Sequence, residues 1–184
     1  PFERLITAFE MDVTKNRHAT FKDLLHYCNH SANPVGELVL RIFGAWNERR
    51  GAWSDDICTA LQLANFWQDV AVDARKGRIY APLEDLKTMG VTERELLAGP
   101  ATDPLRELMA HQVDRTWGLF RRGRPLCDDA PPALRRELRL VWLGGPAILR
   151  MIERRRWDVW AGRPKLTAWD WLGLVPRWLF WRKG

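Results

Sequence analysis

The chain has 184 residues and a net charge of +6, and 46% of its residues are hydrophobic. This length is enough for one domain with a sizeable core, and no run of about eighteen apolar residues marks a membrane-spanning helix. The cysteines Cys28, Cys58 and Cys127 are isolated, which excludes a C-x-x-C zinc or redox motif and fits a reducing cytoplasm. Residues 1–4 contain neither an initiator Met nor the start of a signal peptide, so we expect a chain whose beginning lies elsewhere.

The first half of the chain is predicted to form three helices. Thr20 is a suitable N-cap for a helix over residues 21–30, and Pro34 suits the first turn of the next helix. Ser54 is expected to cap a long helix that ends before Lys76-Gly77. These signals predict helices that follow one another with short connections.

Four helices are predicted in the second half, and a capping residue or a proline marks each start: Thr92 with Glu95, Asp103-Pro104, Pro131-Pro132, and Thr167 or Asp170. The third should run through Trp160 with a disturbance at residues 144–146, and Pro176 should interrupt the fourth. No segment alternates apolar and polar residues, so no strand is predicted. The prediction is a single all-α domain, a helical bundle over residues 1–184.

Positive charge and tryptophan are concentrated at the C-terminal end. Residues 150–184 carry nine Lys or Arg and three Asp or Glu, which accounts for the whole net charge, and six of the eleven tryptophans. Indole rings prefer the headgroup region and cations pair with lipid phosphates, so an anionic membrane surface is one interpretation. The alternatives are tryptophans packed on the core and a nucleic-acid surface. We favour core packing, keep membrane contact open and expect no nucleic-acid partner.

The most informative stretch covers residues 61–82. Asn65, Asp69 and Asp73 recur every four residues, so at about 100° per residue they share one helical face. Gln62 falls on the same face. Carboxylate and amide oxygens are the ligands that Mg²⁺ prefers, usually with phosphate oxygens of a substrate. On the spacing alone we favour the alternative, an ordinary helix whose acids pair with nearby arginines or lysines.

This stretch resembles the second aspartate-rich motif of the squalene/phytoene synthase family. The family pattern LQ-x-x-N-x-x-x-D-x-x-x-D, followed by G-R-x-Y-x-P, is complete in residues 61–82. Residues 27–36 are similar to the family's Y-C-x-x-V-A-G-x-V-G helix, with Ser31 and Asn33 as departures. Residues 12–17 match its acidic-to-basic segment and residues 163–167 match its R-P-x-L-[ST] segment, so the resemblance extends over nearly the whole chain in the right order.

The resemblance implies an isoprenoid-synthase-type helical bundle around a central apolar cavity, in an enzyme that acts on an isoprenoid diphosphate with Mg²⁺. It implies that Asp69 and Asp73 are catalytic and bind the metal, with Asn65 as a further metal ligand. The implied substrate-binding residues are Tyr27, Gln62, Asn65, Arg78 and Arg163.

Two departures from the family pattern matter. The family's first D-x-x-x-D motif, which lies well upstream of the second, is not in these residues. We therefore expect a catalytic domain that lacks its N-terminal part, is inactive alone and exposes apolar residues such as Leu38, Ile42, Leu63 and Phe66. Gln68 stands where family members usually carry an arginine, which removes one expected diphosphate contact.

The variants over residues 31–36 and 66–69 resemble the bacterial hydroxysqualene synthases of the hopanoid pathway. That branch implies Mg²⁺-dependent ionisation of presqualene diphosphate, with water capturing the cation. One alternative is a prenyltransferase that joins two prenyl diphosphates to presqualene diphosphate, squalene or phytoene. Another is a non-catalytic helical protein of the membrane surface. We expect a cytoplasmic protein, with peripheral contact at the inner face of the membrane left open.

Overall fold

The computed structural model describes residues 1–182, and Lys183, one of the basic residues of the tail, lies outside the described residues. This part of the chain contains ten α-helices and no strand. In chain order they are α1 Phe2–Thr14, α2 Phe21–Ser31, α3 Asn33–Ile42, α4 Glu48–Ala74, α5 Leu83–Thr88, α6 Glu93–Ala98, α7 Asp103–Gly123, α8 Leu126–Asp129, α9 Pro132–Arg154 and α10 Ala168–Leu179. The predicted all-α fold is confirmed.

Helix α4 is the centre of the bundle. It packs along α7 and also contacts α2, α3 and α9. Leu63 and Trp67 of α4 are fully buried, as are Phe120 of α7 and Leu149 of α9. The Trp67 indole N–H donates to Thr116 Oγ1 at 2.8 Å, so the buried polar atom of this large side chain has a partner. Burial of such side chains is the main force that holds α4 in place.

Two glycines allow the helices around α4 to approach closely. A Cβ at Gly123 would lie 2.8 Å from the Trp53 carbonyl oxygen and 2.6 Å from Ile57 Cγ1. A Cβ at Gly145 would overlap the ring of Phe120. The contacts of α7 with α4 and of α9 with α7 therefore depend on the missing side chains at these positions.

Three predicted N-caps are confirmed and one is wrong. Thr20, Thr92 and Thr167 cap α2, α6 and α10, each within a capping box. Ser54 does not cap α4, because the helix begins at Glu48 and Ser54 is buried inside it. The cap is Asn47, whose side chain accepts a 2.8 Å hydrogen bond from the N3 backbone amide.

The helix breaks predicted at prolines are also wrong. α9 continues through Gly144-Gly145-Pro146 and ends at Arg154, before Trp160, and α10 continues through Pro176. A proline removes one intrahelical hydrogen bond, and in α9 the burial of residues 144–146 against the bundle outweighs that loss. Helices α1, α5 and α8 were not predicted, and α5 and α8 are only 6 and 4 residues long.

The expectation about exposed apolar residues is correct only in part. Ile42 is exposed and Leu38 is half-buried, but Leu63 and Phe66 are buried within the chain itself. The latter two face the core that α4 forms with its neighbours. Over residues 1–182, no helix is both long and apolar enough to span a bilayer.

Candidate active site

The aspartate-rich motif lies on the side of α4 that points away from the core. Asn65 is exposed, and Asp69 and Asp73 are half-buried. On the opposite side, about 120–160° around the helix from Asp69, Leu63 and Trp67 are buried. The motif side of α4 therefore remains accessible while the other side anchors the helix.

Arg163 brings a distant segment to the motif. Its guanidinium donates to both carboxylate oxygens of Asp69, with Nε bonding Oδ1 and Nη2 bonding Oδ2 at 3.0 Å. Next to it, the buried Gln68 side-chain amide donates to the Pro164 carbonyl oxygen. Two consecutive residues of α4 thus hold two consecutive residues of the segment between α9 and α10. The structure therefore joins Asp69 and Arg163, both predicted site residues.

Asp73 lies in an environment that disfavours its charge. Burial raises the pKa of its carboxyl group, and the negative charge of Asp69 raises it further. The positive charges of Lys76, Arg78 and Arg163 act in the opposite direction. The two carboxylates repel each other within a basic surrounding, an arrangement that suits a cation between them and an anion beside it.

Tyr27 lies in a buried aromatic cluster next to the motif. Its hydroxyl donates to Asp12 Oδ1 at 2.8 Å, and its ring centroid is 6.1 Å from Phe66 and 6.3 Å from Tyr80. The rings of Phe66 and Tyr80 stack with centroids 3.7 Å apart. Burial and the bond to Asp12 raise the pKa of Tyr27, so its hydroxyl stays protonated. The predicted substrate-binding tyrosine is thus fixed in orientation by a residue of α1.

Arg78 connects this cluster to the aspartates. Its electrostatic interaction with Tyr80 is the main reason that the pKa of Arg78 is raised, and the charge of Arg78 lowers the pKa of Asp73. A narrow pocket is lined by Asp73 and Arg78 of the motif together with Phe66 and Tyr80 of the cluster. The structure therefore brings Tyr27, Arg78 and Asp73 into one neighbourhood.

Two predicted site residues form no side-chain hydrogen bond in the described part of the chain. The side chains of Gln62 and Asn65 lie on the motif face of α4 but form no side-chain hydrogen bond within residues 1–182. In the same residues, no group of three or more His, Cys, Asp or Glu is arranged to hold a metal ion. The described residues thus place two carboxylates and an amide without a hydrogen bond on one face of α4.

Three residues of this neighbourhood were not among the predicted site residues. Asp12 orients Tyr27, Gln68 holds the segment that carries Arg163, and His18 is buried with its ring stacked on Tyr80 at 5.9 Å. Burial lowers the pKa of His18 to about 4. The family-like segment over residues 12–17 was the signal for Asp12, whereas no sequence pattern indicated the contacts of His18 and Gln68.

Comparison with known proteins gives a consistent result. The squalene/phytoene synthase family model matches residues 1–170. Phytoene synthase from Arthrospira platensis is 33% identical over 193 residues, covering 96% of this chain and 61% of the relative. Hydroxysqualene synthase from Rhodopseudomonas palustris is 34% identical over 155 residues, covering 82% of this chain and 52% of the relative.

Solved structures show the same similarity. The crystal structure of squalene synthase HpnC from Alicyclobacillus acidocaldarius has a TM-score of 0.84 and 47% identity, covering 86% of this chain and 60% of that one. A dehydrosqualene synthase in complex with ligand has a TM-score of 0.87 at 22% identity, which shows the common fold. The chain spans less than two thirds of each of these proteins. Since the family model covers nearly all of its residues, the motif on α4 included, the chain belongs to the squalene/phytoene synthase family.

Proposed function

We propose that the chain is the larger part of an enzyme that ionises presqualene diphosphate with Mg²⁺ and lets water capture the cation, which gives hydroxysqualene. The observation that carries this proposal is the pair Asp69 and Asp73 on the accessible face of α4, flanked by Arg78 and Arg163. The sequence variants over residues 31–36 and 66–69 and the hydroxysqualene synthase relative support this member of the family.

The residues on α4 fit a magnesium ion. All the donors are hard oxygen atoms. Burial and the negative charge of Asp69 together raise the pKa of Asp73, and a divalent cation would offset both effects. Asp69 and Asp73 would hold the ion, with the exposed Asn65 amide as a further ligand. When bound, magnesium neutralises charge that develops on the departing diphosphate.

The basic residues have separate roles in binding the diphosphate. Arg163 donates to Asp69 in the free chain, and its two donors become available for phosphate oxygens when Asp69 takes up a different partner. Arg78 lines the narrow pocket beside Asp73 and Tyr80, so its guanidinium is placed to bind an anion there. Guanidinium groups suit this task because they stay charged and bind oxyanions in a two-point geometry.

The aromatic cluster has the properties needed beside a carbocation. Tyr27 is locked by its bond to Asp12, and Phe66 and Tyr80 are stacked, so these rings form a firm apolar wall next to the motif. The faces of aromatic rings attract cations. The same wall excludes water from the reacting carbons and limits where water can enter.

The roles of the aspartates are tested by Asp69→Asn and Asp73→Asn in the full-length enzyme. Each should lower diphosphate release by at least about a hundredfold, because the amide carries no charge for the metal. Thermal unfolding should change little. Asp114→Asn is the matched control, since Asp114 is exposed on α7 and outside the site. Unchanged rates and unchanged magnesium dependence in both site variants would refute the assignment.

Product analysis separates the proposed reaction from its alternatives. With presqualene diphosphate, magnesium and oxygen-18 water, we expect labelled hydroxysqualene. The family alternative is a prenyltransferase, which the phytoene synthase relative favours, and it would instead yield presqualene diphosphate, squalene or phytoene from prenyl diphosphates. Absence of any diphosphate release by the full-length protein would favour a non-catalytic helical protein.

The proposed place of this reaction is the cytoplasm, next to the inner face of the membrane. The thiols of Cys28 and Cys127 are buried and unpaired, which fits a reducing compartment. An isoprenoid diphosphate has a long hydrocarbon part that partitions into lipid, so an enzyme close to the membrane meets its substrate there.

A further inference from the structure

The outer face of α10 is apolar and exposed. The inner side is anchored by Leu174, which is 4% exposed. Opposite it, Trp169 is 81% exposed, Leu172 58%, Leu179 62% and the C-cap residue Phe180 79%. At about 100° per residue, these four side chains fall within an arc of about 100°. The water-facing side of a surface helix is normally polar, so an apolar side of this extent indicates a binding surface.

A cationic pocket lies directly beside this face, between α9 and α10. Arg150, Arg154 and Arg177 line a cavity of about 210 Å³. None of the three forms an ion pair within residues 1–182, and the buried Arg150 Nη1 has no hydrogen-bond partner. Burial, followed by the positive charge of Arg177, lowers the pKa of Arg150. The pocket therefore holds three guanidinium groups whose positive charges repel one another, and a bound anion would relieve this repulsion.

One carboxylate, Asp170, lines this pocket and a second, Glu153, is close to it, but both already accept hydrogen bonds. Glu153 Oε1 accepts a 2.7 Å hydrogen bond from the Trp117 indole N–H. Asp170 closes the capping box at the start of α10. The hydrogen bonds to Thr167, and to a smaller extent the charge of Arg154, lower the pKa of Asp170, and the negative charge of Glu153 acts against the lowering of the Arg150 pKa. Neither acid forms an ion pair with the three arginines within residues 1–182. Three arginines against these two acids leave a net positive charge at the pocket.

We propose that the outer face of α10 docks on an anionic phospholipid bilayer and that the arginine pocket receives a lipid phosphate. Trp169 belongs to both features, because it is exposed on the apolar face and also lines the pocket. Apolar and indole side chains settle at the boundary of headgroups and acyl chains, while cations meet the phosphates above them. With 12 residues, α10 is about 18 Å long, shorter than a bilayer core, so it lies in the plane of the interface.

Other occupants of this face fit the observations less well. In a symmetric dimer through α10, the arginine pockets of the two copies would be close together, and their like charges would repel. Free inorganic phosphate would explain the pocket but not the exposed apolar face. An anionic bilayer matches both the charge and the apolar character.

The test is co-flotation of the full-length protein with vesicles of phosphatidylcholine, with and without phosphatidylglycerol. The wild type should bind only the anionic vesicles, and salt should weaken binding. Trp169→Ser with Phe180→Ser should lower the partition coefficient by at least about tenfold. Arg154→Gln with Arg177→Gln should lower it by about 25-fold. Matched controls are Val13→Ser, which removes an exposed apolar side chain of α1, and Arg121→Gln, which removes an exposed charge of α7.

Each other outcome overturns the proposal. Binding that is unchanged in both double variants would place the contact elsewhere. Loss of a dimer in the Trp169 and Phe180 variant, with lipid binding intact, would assign the face to a second copy. Stoichiometric binding of inorganic phosphate without vesicle binding would assign the pocket to a free anion. Lipid binding is measured without substrate, so its failure is distinct from a failure of the proposed reaction.

A second measurement applies if the variants lose their fold. Vesicles with brominated acyl chains should quench part of the tryptophan fluorescence of the wild type, and Trp169→Phe should reduce that quenched part. An absence of quenching in the folded wild type would refute the docking of α10 on lipid.

Discussion

Asp69 has a cationic partner from a segment 94 residues away in sequence, and this contact defines the site at the scale of single residues. The arginine usual at the position of Gln68 is absent, yet a guanidinium is present beside Asp69 because Arg163 supplies it. Gln68 contributes by holding Pro164, the neighbour of Arg163. Gln68 removes one positive charge from α4 relative to the family pattern, but Arg163 keeps a positive charge beside the motif.

A prediction on pH dependence follows from the burial of His18. Burial lowers its folded-state pKa to about 4, whereas an unfolded histidine titrates at about 6.5. As pH falls below about 6.5, the unfolded chain takes up the proton first, so the folded state loses stability until about pH 4. Between about pH 7.5 and about pH 5, this single group should lower the free energy of unfolding by about 2 kcal/mol.

The measurement is urea unfolding of the wild type and of His18→Phe at these two pH values. Phenylalanine keeps an aromatic ring on Tyr80 but binds no proton, so the variant should lose about 2 kcal/mol less than the wild type on acidification. An equal loss in the two proteins would show that His18 is not the titrating group.

At the scale of elements, the position of α4 depends on how closely α7 approaches it. Gly123→Ala should lower the free energy of unfolding by about 1–3 kcal/mol, because the new Cβ meets the Trp53 backbone oxygen at 2.8 Å. Gly118→Ala, on the same helix, is the matched control. Its Cβ meets only the flexible Arg122 Nη1 at 3.6 Å, so it should stabilise the helix by up to about 1 kcal/mol.

Chemical denaturation of both variants measures this difference. Effects of the same sign and size at the two glycines would show that helix propensity, rather than close packing of α7 on α4, decides the outcome. The comparison is informative for function because α4 carries the motif on one side and this packing contact on another.

At the scale of the whole molecule, one aspartate-rich motif is present in the 184 residues, and the longer relatives extend well beyond the matched part. We propose that these residues alone release diphosphate at least about a hundredfold more slowly than the full-length protein. The reason is that two carboxylates alone hold the metal too weakly for it to assist the departure of diphosphate. The apolar residues Phe2, Ile6 and Phe9 of α1 are exposed, so the separate chain should also tend to aggregate.

The assay compares the two proteins side by side with presqualene diphosphate and magnesium, together with light scattering. Comparable rates would contradict the requirement for a second motif and would place the whole ionisation site within these residues.

The sequence by itself determined the all-α class, the starts of α2, α6, α7, α9 and α10, and the shared helical face of Asn65, Asp69 and Asp73. These features depend on local rules: capping side chains, proline at first turns, and the periodicity of the helix. The family pattern on α4 was also readable, because it occupies consecutive turns of one element.

Only the tertiary structure decided which distant groups meet the motif. The pairing of Asp69 with Arg163 and of Tyr27 with Asp12 joins separate helices and segments, and no local rule specifies such contacts. The continuity of α9 through Pro146 was likewise decided by burial against the bundle. The exposed apolar face of α10 is a further example, since the sequence gives an apolar helix but packing decides which of its sides meets the core.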